Sequence, residues 1–475
     1  MKTTTKKFYG PPGTGKTTAL INLVEKEVEE NNISIHSIGY LGFTNAACDE
    51  AQSRIAFQGI GTWFRTIHSS CLYLLRRNGV DKGVVTYRHR LGFCKDHGMK
   101  YSSDANDIEY GDVMPEGNTF FNIISYLKNS KLDQSQWDST PYADDFKRPF
   151  SQLYNSWVTF KEDCHLLDFD DMLTKTLEMD LLFPTKVLFV DEFQDISPLQ
   201  YDVIKHFMYA KERVYVAGDD DQAIYRFQAA SPDIFLNMPA DETSVLPKSY
   251  RLKKNVLDIS HKLIVQNKSR KDKTFLPASD GGVVKILYHP KPEDVVNEVS
   301  GKTFLLFRTN NLVEKFSWNM ARSGIPFKYL DESKEKMWGW SNDSKRELYN
   351  SLCGNYSAWN TLDRMTSSGK IAGGSASYMK LYIAKYHKPI SPGAINTFMG
   401  TIHSAKGREA DTVILFDTIT PKVMTGITMS DTGFDDERRV FYVGMTRAKE
   451  KLVIAHAAFP KALTIELPTF LGAEK

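Results

Sequence analysis

The sequence predicts an α/β protein with two doubly wound parallel sheets, each carrying an inserted, mainly helical segment. Three observations predict it. A short apolar strand, a glycine-rich turn and a helical run follow one another over Lys7–Glu29; the run KVLFV, Lys186–Val190, stops abruptly in carboxylates; and strand-and-helix alternation, present in residues 1–70 and 165–277, resumes at Val283. Strands covered by helices on both faces read as continuous apolar runs, so KVLFV fits a parallel sheet better than a half-exposed antiparallel one.

Taken in order, residues 1–70 and 165–277 form a first domain. Residues 71–164, with mixed helical periodicity, the polar stretch Tyr101–Asn106 and the aromatics Trp137 and Trp157, form its helical insertion. Residues 278–330 and 394–475 form a second domain, with strands expected at Val283–Leu287, Thr303–Phe307 and Val413–Phe416. Between them, 331–393 contains Trp338, Trp340 and Trp359 but no clean alternation, and is expected to be a reduced second insertion.

Bulk properties agree with such a chain and exclude several classes. At 475 residues it exceeds one ordinary core, since roughly 150 residues per domain gives about three. A hydrophobic content of 41% and a charged content of 25% are those of a globular protein, and no apolar run is long enough to span a bilayer. The basic start, Met1–Lys7, leads into a glycine turn instead of the apolar core of a secretory signal, so a cytoplasmic location without membrane contact is expected. Five scattered cysteines suit neither a zinc site nor a disulfide framework. A net charge of +2 gives no global attraction for nucleic acid, so any such site must be a local groove.

The chemistry begins at Gly10, Pro11, Pro12, Gly13, Thr14, Gly15, Lys16, Thr17 and Thr18. Phosphate binding needs several backbone N–H groups turned toward one point, which Gly10, Gly13 and Gly15 permit because they lack a Cβ. The start of the following helix adds its positive dipole end. Lys16 then neutralises the β- and γ-phosphates, and the Thr17 hydroxyl can ligate Mg²⁺. A second half is expected where a buried strand ends in acid, and Asp191 and Glu192 stand there: Asp191 to hold the metal, Glu192 to take the proton of an attacking water. An isolated acidic cluster is commonly a solvated loop, but the paired motif favours hydrolysis of a nucleoside triphosphate.

These two motifs also describe kinases and many other nucleotide hydrolases. The segment VAGDDDQAIYRFQAA, Val216–Ala230, resembles the third motif of the UvrD/Rep/PcrA group of superfamily 1 helicases, and DEFQD resembles their second. Further matches follow in the family's order: GFTNAACDEAQSRI (Gly42–Ile55), RTIHSSCLYLLR (Arg65–Arg76), LLDFDDML (Leu166–Leu173), LPKSYRLKKNV (Leu246–Val256), GTIHSAKGREADTVILFD (Gly400–Asp417) and ERRVFYVGMTRAKEKLVIA (Glu437–Ala455). Phe227 and Gln228 stand where the family usually has tryptophan and arginine, and Ser249 and Leu252 also depart from the usual residues.

The resemblance implies two RecA-like motor domains with ATP and Mg²⁺ in the cleft between them. It places Gln222, Arg251 and Arg447 at the γ-phosphate, Tyr250 at the adenine face and Glu409 at the ribose. It places Thr44, Asn45, Thr66, His68, Tyr225, Phe227, Thr401 and His403 along the nucleic acid, with Tyr225 and Phe227 as the wall on which a base stacks. The implied activity is that of an ATP-dependent DNA helicase moving 3′-to-5′ on single-stranded DNA and unwinding tailed duplex DNA, as a monomer serving replication or repair proteins. A translocase that strips proteins without separating strands is the nearest alternative; a clamp without net movement and a small-molecule phosphotransferase are more distant ones. In the family the second insertion is larger, and the chain here is expected to lack both an upstream adenine-reading glutamine and a long C-terminal tail.

Overall fold

The apolar runs become the central strands of two separate parallel sheets. The computed structural model describes residues 3–55, 63–102, 114–323, 325–331, 395–430, 432–459 and 463–467. Trp338, Trp340, Trp359, the expected second insertion and most of the stretch Tyr101–Asn106 lie outside the described residues. The described residues form two units: one holds those up to Arg251 together with Asn267–Ala278, the other Leu252–Gln266 and those from Ser279 onward.

The first unit contains β1 (Thr4–Tyr9), β2 (Ile38–Gly42), β3 (Phe64–Thr66), β4 (Gly83–Val84), β5 (Leu166–Leu167), β6 (Val187–Val190), β7 (Arg213–Gly218) and β8 (Glu242–Val245). Six of these form one sheet in the order β3-β2-β6-β7-β1-β8, with every neighbouring pair parallel. Side chains alternate between faces along a strand. In β6, Leu188 and Val190 join one buried cluster with Leu41, Val214 and Phe207, while Val187 and Phe189 join another with Leu20, Val24, Tyr40 and Tyr215. Register sets the working edge. Tyr9 pairs with Gly218 and Leu41 with Val190, so the segments leaving β1, β7, β2 and β6 emerge together at the C-terminal ends of the strands.

Within residues 71–164, the helices Tyr87–Asp96, Glu116–Ser130 and Phe150–Asp163 enclose a core of their own around Phe93, Phe120, Phe146 and Trp157. This group is joined to the sheet-bearing part by β4 pairing with β5 and by a charge cluster. Lys128 and Lys161 contact Asp168 at 3.2 and 2.7 Å, at the N-terminus of the helix Phe169–Glu178, and both also reach Asp171. Burial opposes the charge on Asp168, but the two lysines outweigh it and hold the carboxyl well below its usual range.

The second unit contains β9 (Val283–Tyr288), β10 (Thr303–Phe307), β11 (Lys328–Tyr329), β12 (Thr397–Thr401), β13 (Ala410–Phe416), β14 (Thr418–Ile419), β15 (Ala448–His456) and β16 (Leu463–Thr464). Its six-stranded sheet runs β11-β12-β10-β13-β15-β9, again parallel throughout. One difference from the sequence expectation concerns the helix Lys254–Ile264, which alternation alone grouped with the first domain. Its apolar side, Val256, Leu263 and Ile264, packs on the helix Gly433–Met445 and on β15 of the second unit, and the chain then returns to the first unit for Asn267–Ala278. Strand-helix alternation reports an element's type and not which sheet it covers. No helix among the described residues is long and apolar enough to cross a membrane.

Candidate nucleotide and nucleic-acid sites

The glycine turn occupies the end of β1. Gly10 N donates to Gly218 O at 2.8 Å, Thr14 folds back on Pro11 O, and Gly13 and Gly15 adopt φ of 73° and 75° before the helix Lys16–Glu29 begins. The Lys16 ammonium crosses the turn to Gly10 O at 3.0 Å. Close approach explains two of the glycines: a Cβ on Gly10 would lie 1.9 Å from Lys16 Cγ, and one on Gly13 would lie 2.4 Å from Arg251 Cβ.

Asp191 and Glu192 follow β6 directly. The Thr17 hydroxyl donates to Asp191 Oδ2 at 2.7 Å, and Tyr40 OH donates to the same oxygen at 3.0 Å. Burial, then the neighbouring Glu192, pushes the Asp191 carboxyl upward, against the opposing effects of Thr17 and Lys16. Glu192 sits in the left-handed region at φ 51°, an uncommon conformation for a non-glycine residue and one that redirects its side chain at the strand end. Its carboxylate is held by Gln194, whose Nε2 donates to Glu192 Oε2 at 2.6 Å and to Asp195 Oδ2 at 2.9 Å.

Gln194 also bridges to the next strand. Its Oε1 accepts from Asp219 N at 2.8 Å, while Gln222 Nε2 donates to Asp219 Oδ2 at 2.6 Å. Asp219, Asp220 and Asp221 are all buried, with exposures of 0%, 0% and 1%. Two cations face them: Lys273 reaches all three at 2.8, 2.5 and 2.9 Å, Arg270 grips Asp221 at 3.1 and 2.8 Å, and burial still pushes the Asp220 carboxyl upward. Burial opposes the Lys273 charge, but the three carboxylates hold its pKa above the usual range. Neither Gln194 nor the two cations was assigned a role from sequence. The cations come from a segment about fifty residues downstream whose composition carries no signal for this pairing.

Ser249, Tyr250 and Arg251 lie alongside the glycine turn. Ser249 Oγ donates to Pro12 O at 2.8 Å and accepts from Arg251 N at 3.2 Å, and Tyr250 N donates to Gly13 O at 2.8 Å. Ser249, a departure from the family's pattern, thus ties the arginine-bearing segment to the phosphate loop. Tyr250 is 75% exposed beside the loop, an orientation open to a planar ligand.

The aromatic part of the site stands at the same sheet edge. Phe43, directly after β2, stacks on Tyr225 at 5.3 Å and 19°, and Tyr225 lies 6.1 Å from Phe227. A groove of about 390 Å³ runs past Phe227, lined also by His68, Tyr142, Phe169, Gln200 and Gln228. Phe169 is 53% exposed and meets His68 edge-on at 5.6 Å. Burial lowers the His68 pKa to about 4, so the ring is neutral at ordinary pH and offers a hydrogen bond or a surface, not a charge. Thr44 and Thr66 each cap a helix, accepting from Ala47 N and Ser69 N at 3.2 Å. Each hydroxyl keeps its proton for donation, and Asn45 starts the helix that Thr44 caps. Phe43 and Phe169 lay inside quoted motifs, yet sequence reasoning favoured their polar neighbours.

In the second unit, Thr401 and His403 share the turn after β12, where Thr401 Oγ1 accepts from Ser404 N at 3.1 Å and both side chains are buried. Glu409 pairs with Lys449 at 2.5 Å. Arg447 is 2% exposed, with Nε donating to Val443 O at 2.9 Å and Nη2 to Thr446 Oγ1 at 3.2 Å. The final turn of a helix holds it in place.

Two family models match the chain in sequence order. The UvrD/REP helicase N-terminal domain matches residues 3–243, and the UvrD-like helicase C-terminal domain matches residues 393–458. The chain is 27% identical over 361 residues to the ATP-dependent DNA helicase PcrA of Staphylococcus epidermidis, covering 68% of this chain and 48% of that protein. It is 24% identical over 373 residues to the ATP-dependent DNA helicase UvrD1 of Mycobacterium leprae, with the same coverages of 68% and 48%. The chain therefore spans about half the length of the curated relatives it matches. With two parallel-sheet RecA-like domains, a glycine phosphate loop, an acidic strand end and the matched domains in this order, the chain belongs to the UvrD-like superfamily 1 helicases.

Proposed function

We propose that this protein is an ATP-dependent DNA helicase that moves on single-stranded DNA and separates duplex strands. The observation that carries this reading is the shared edge of one sheet: the phosphate loop, Asp191 and Glu192 emerge beside the stack of Phe43 and Tyr225, with Phe227 next to it. Fuel and track are thus served from the C-terminal ends of the strands of one sheet.

In this reading Lys16 and the loop amides bind the phosphates, and Tyr250 offers its exposed ring to adenine. Thr17 and Asp191 present a hydroxyl and a carboxylate 2.7 Å apart, an all-oxygen pair that suits Mg²⁺, a hard cation usually held by one or two protein oxygens together with phosphate and water. Bound there, the ion would neutralise phosphate charge. Glu192 accepts the proton of the attacking water, and Gln194 keeps its carboxylate in place. Gln222 contacts the γ-phosphate, and Arg251 and Arg447 stabilise the charge that develops on it. The expected ribose contact is Glu409.

Thr44, Asn45 and Thr66 supply hydroxyl and amide groups for the DNA backbone, while Tyr225, Phe227 and the neutral His68 supply surfaces for bases, with Thr401 and His403 as the second unit's contribution. Phe43 and Phe169 extend that apolar surface. Stacking accepts any base, at about 1–3 kcal/mol each, as a motor requires. Movement is assigned 3′-to-5′ from the family resemblance, with tailed duplex DNA as substrate and replication or repair proteins as partners.

The test is strand separation on tailed duplexes. Unwinding with a 3′ tail and not with a 5′ tail supports the proposal. Stepping without unwinding would instead establish the protein-stripping translocase, and hydrolysis indifferent to DNA would overturn the motor reading altogether.

A further inference from the structure

The three buried carboxylates after β7 take part in no step described so far, and burying them carries a large cost unless each is paired. Their partners come from Asn267–Ala278, the segment in which the chain returns to the first unit. Lys273 is 2% exposed at its side chain and lies between Asp219, Asp220 and Asp221. Arg270 is directed at Asp221, and Lys271 N donates to Asp220 Oδ2 at 2.8 Å.

Asp219 is the member with a second duty. Its Oδ1 accepts from Lys273 at 2.8 Å and its Oδ2 accepts from Gln222 at 2.6 Å, while its backbone N–H donates to Gln194, which in turn donates to Glu192. Asp219 therefore orients the Gln222 amide through its carboxylate and, through its backbone N–H and Gln194, is connected to the residue read as general base. Oδ1 also accepts from Asp221 N at 3.3 Å, but that longer bond holds the carboxylate less firmly than the Lys273 ion pair, so without Lys273 the bond to Gln222 would lose its fixed direction while the backbone bond to Gln194 would not. We infer that Lys273 is a positioning residue for hydrolysis, acting through Asp219 to hold Gln222 in the orientation that ATP turnover requires. This rests on the reading of Gln222 as a γ-phosphate contact.

Arg270 provides a matched comparison, because it too is a buried cation of the same cluster but is bonded to Asp221. Steady-state ATP hydrolysis with single-stranded DNA is measured for Lys273→Met, Arg270→Met, Gln222→Ala and the double variant Gln222→Ala/Lys273→Met. Lys273→Met is expected to lower kcat about tenfold or more with KM for ATP changed by less than about threefold, the pattern of a lost transition-state interaction. Arg270→Met is expected to lower Tm with a much smaller change in kcat. In the double variant, the Lys273 change should add less than about twofold to the effect of Gln222→Ala, because residues acting as one unit are not additive.

Asp219→Asn guards against a Lys273→Met protein that does not fold. It keeps the side-chain size and removes one buried negative charge, but offers a single acceptor oxygen where Asp219 uses two. It too should lower kcat at unchanged KM. Normal kcat in Asp219→Asn, equal losses in Lys273→Met and Arg270→Met, or full additivity with Gln222→Ala would each overturn the inference. If Gln222→Ala itself leaves hydrolysis intact, the reading of Gln222 fails first, and that outcome is separately visible.

Discussion

The two sheets share one design, six strands and every pair parallel, yet they end their strands in different chemistry. In the first unit, β1 runs into a glycine turn, β6 into Asp191 and Glu192, and β7 into Asp219, Asp220 and Asp221. In the second, β10 ends at Arg308, whose Nε donates to Glu437 at 2.7 Å, β12 leads into Thr401 and His403, and β13 runs into Asp417, bonded to His456 at 2.6 Å. Among the described residues, no strand of the second sheet is followed directly by a glycine, and the left-handed Gly407 comes only six residues after β12. An open parallel sheet thus supplies an edge, and the three or four residues after each strand decide what that edge does. In the proposed reading the first unit carries phosphate binding and proton transfer, while the second contributes Arg447, Thr401 and His403.

The largest expected effects test that division. Glu192→Gln should reduce hydrolysis about 10²–10⁴-fold, the usual contribution of a general base, while ATP binding measured by calorimetry or fluorescence persists. Lys16→Ala should reduce turnover about 10²–10³-fold and, unlike Glu192→Gln, weaken ATP binding as well, since its charge faces the phosphates before and during the reaction. Near-normal hydrolysis in Glu192→Gln would mean that the first sheet's acidic end does not supply the base, and the contrast between the sheets would lose its basis.

Legibility differed within the site in a physically intelligible way. The glycine turn ahead of the helix Lys16–Glu29 was readable because a strand, a glycine-rich turn and a helix start form one contiguous stretch of backbone, and contiguity is what a sequence displays. The two parallel sheets were readable because KVLFV and VILF have no polar face to expose. Lys273 was not, because an ion pair formed across about fifty residues leaves no periodic trace, and Lys271 and Lys273 look alike as letters although only the latter is buried in the acid cluster. Phe43 was passed over because an aromatic beside an apolar strand reads as core until its ring is found against Tyr225. The side chosen by the helix Lys254–Ile264 was hidden too: an amphipathic stripe shows that a surface is buried without naming the surface.

A smaller effect separates fuel from track within the first unit. Phe227→Ala removes one stacking face, so affinity for single-stranded DNA should fall roughly 5- to 150-fold, corresponding to about 1–3 kcal/mol. ATP hydrolysis without DNA should change little, because Phe227 makes its contact in the groove with His68 and Phe169. Titration of a labelled oligonucleotide beside DNA-free hydrolysis reads both quantities. Unaltered affinity with lost basal hydrolysis would reverse the assignment of the two ends.

The smallest expected effect concerns His68 in the same groove. Its pKa is about 4 in the folded protein, lowered by burial from an unfolded value of 6.5. Between those two values the unfolded chain binds a proton that the folded chain refuses, so the contribution of the neutral ring is complete above about pH 6.5 and is lost as the pH falls toward 4. Asp170, lining the same groove, has the opposite sign: burial, then the Asp168 charge, raises it to about 6, so its contribution is present below 3.8 and lost as the pH rises through 6. Wild type therefore shows a partial cancellation. His68→Gln removes one of the two opposing groups and leaves Asp170, so urea midpoints of the variant should fall less on acidification from about pH 7 to about pH 5 than those of wild type. Parallel midpoint curves would show that the His68 ring is hydrated enough to take its proton at the ordinary pH, and the groove floor would then be wetter, and more attractive to phosphate, than a neutral surface.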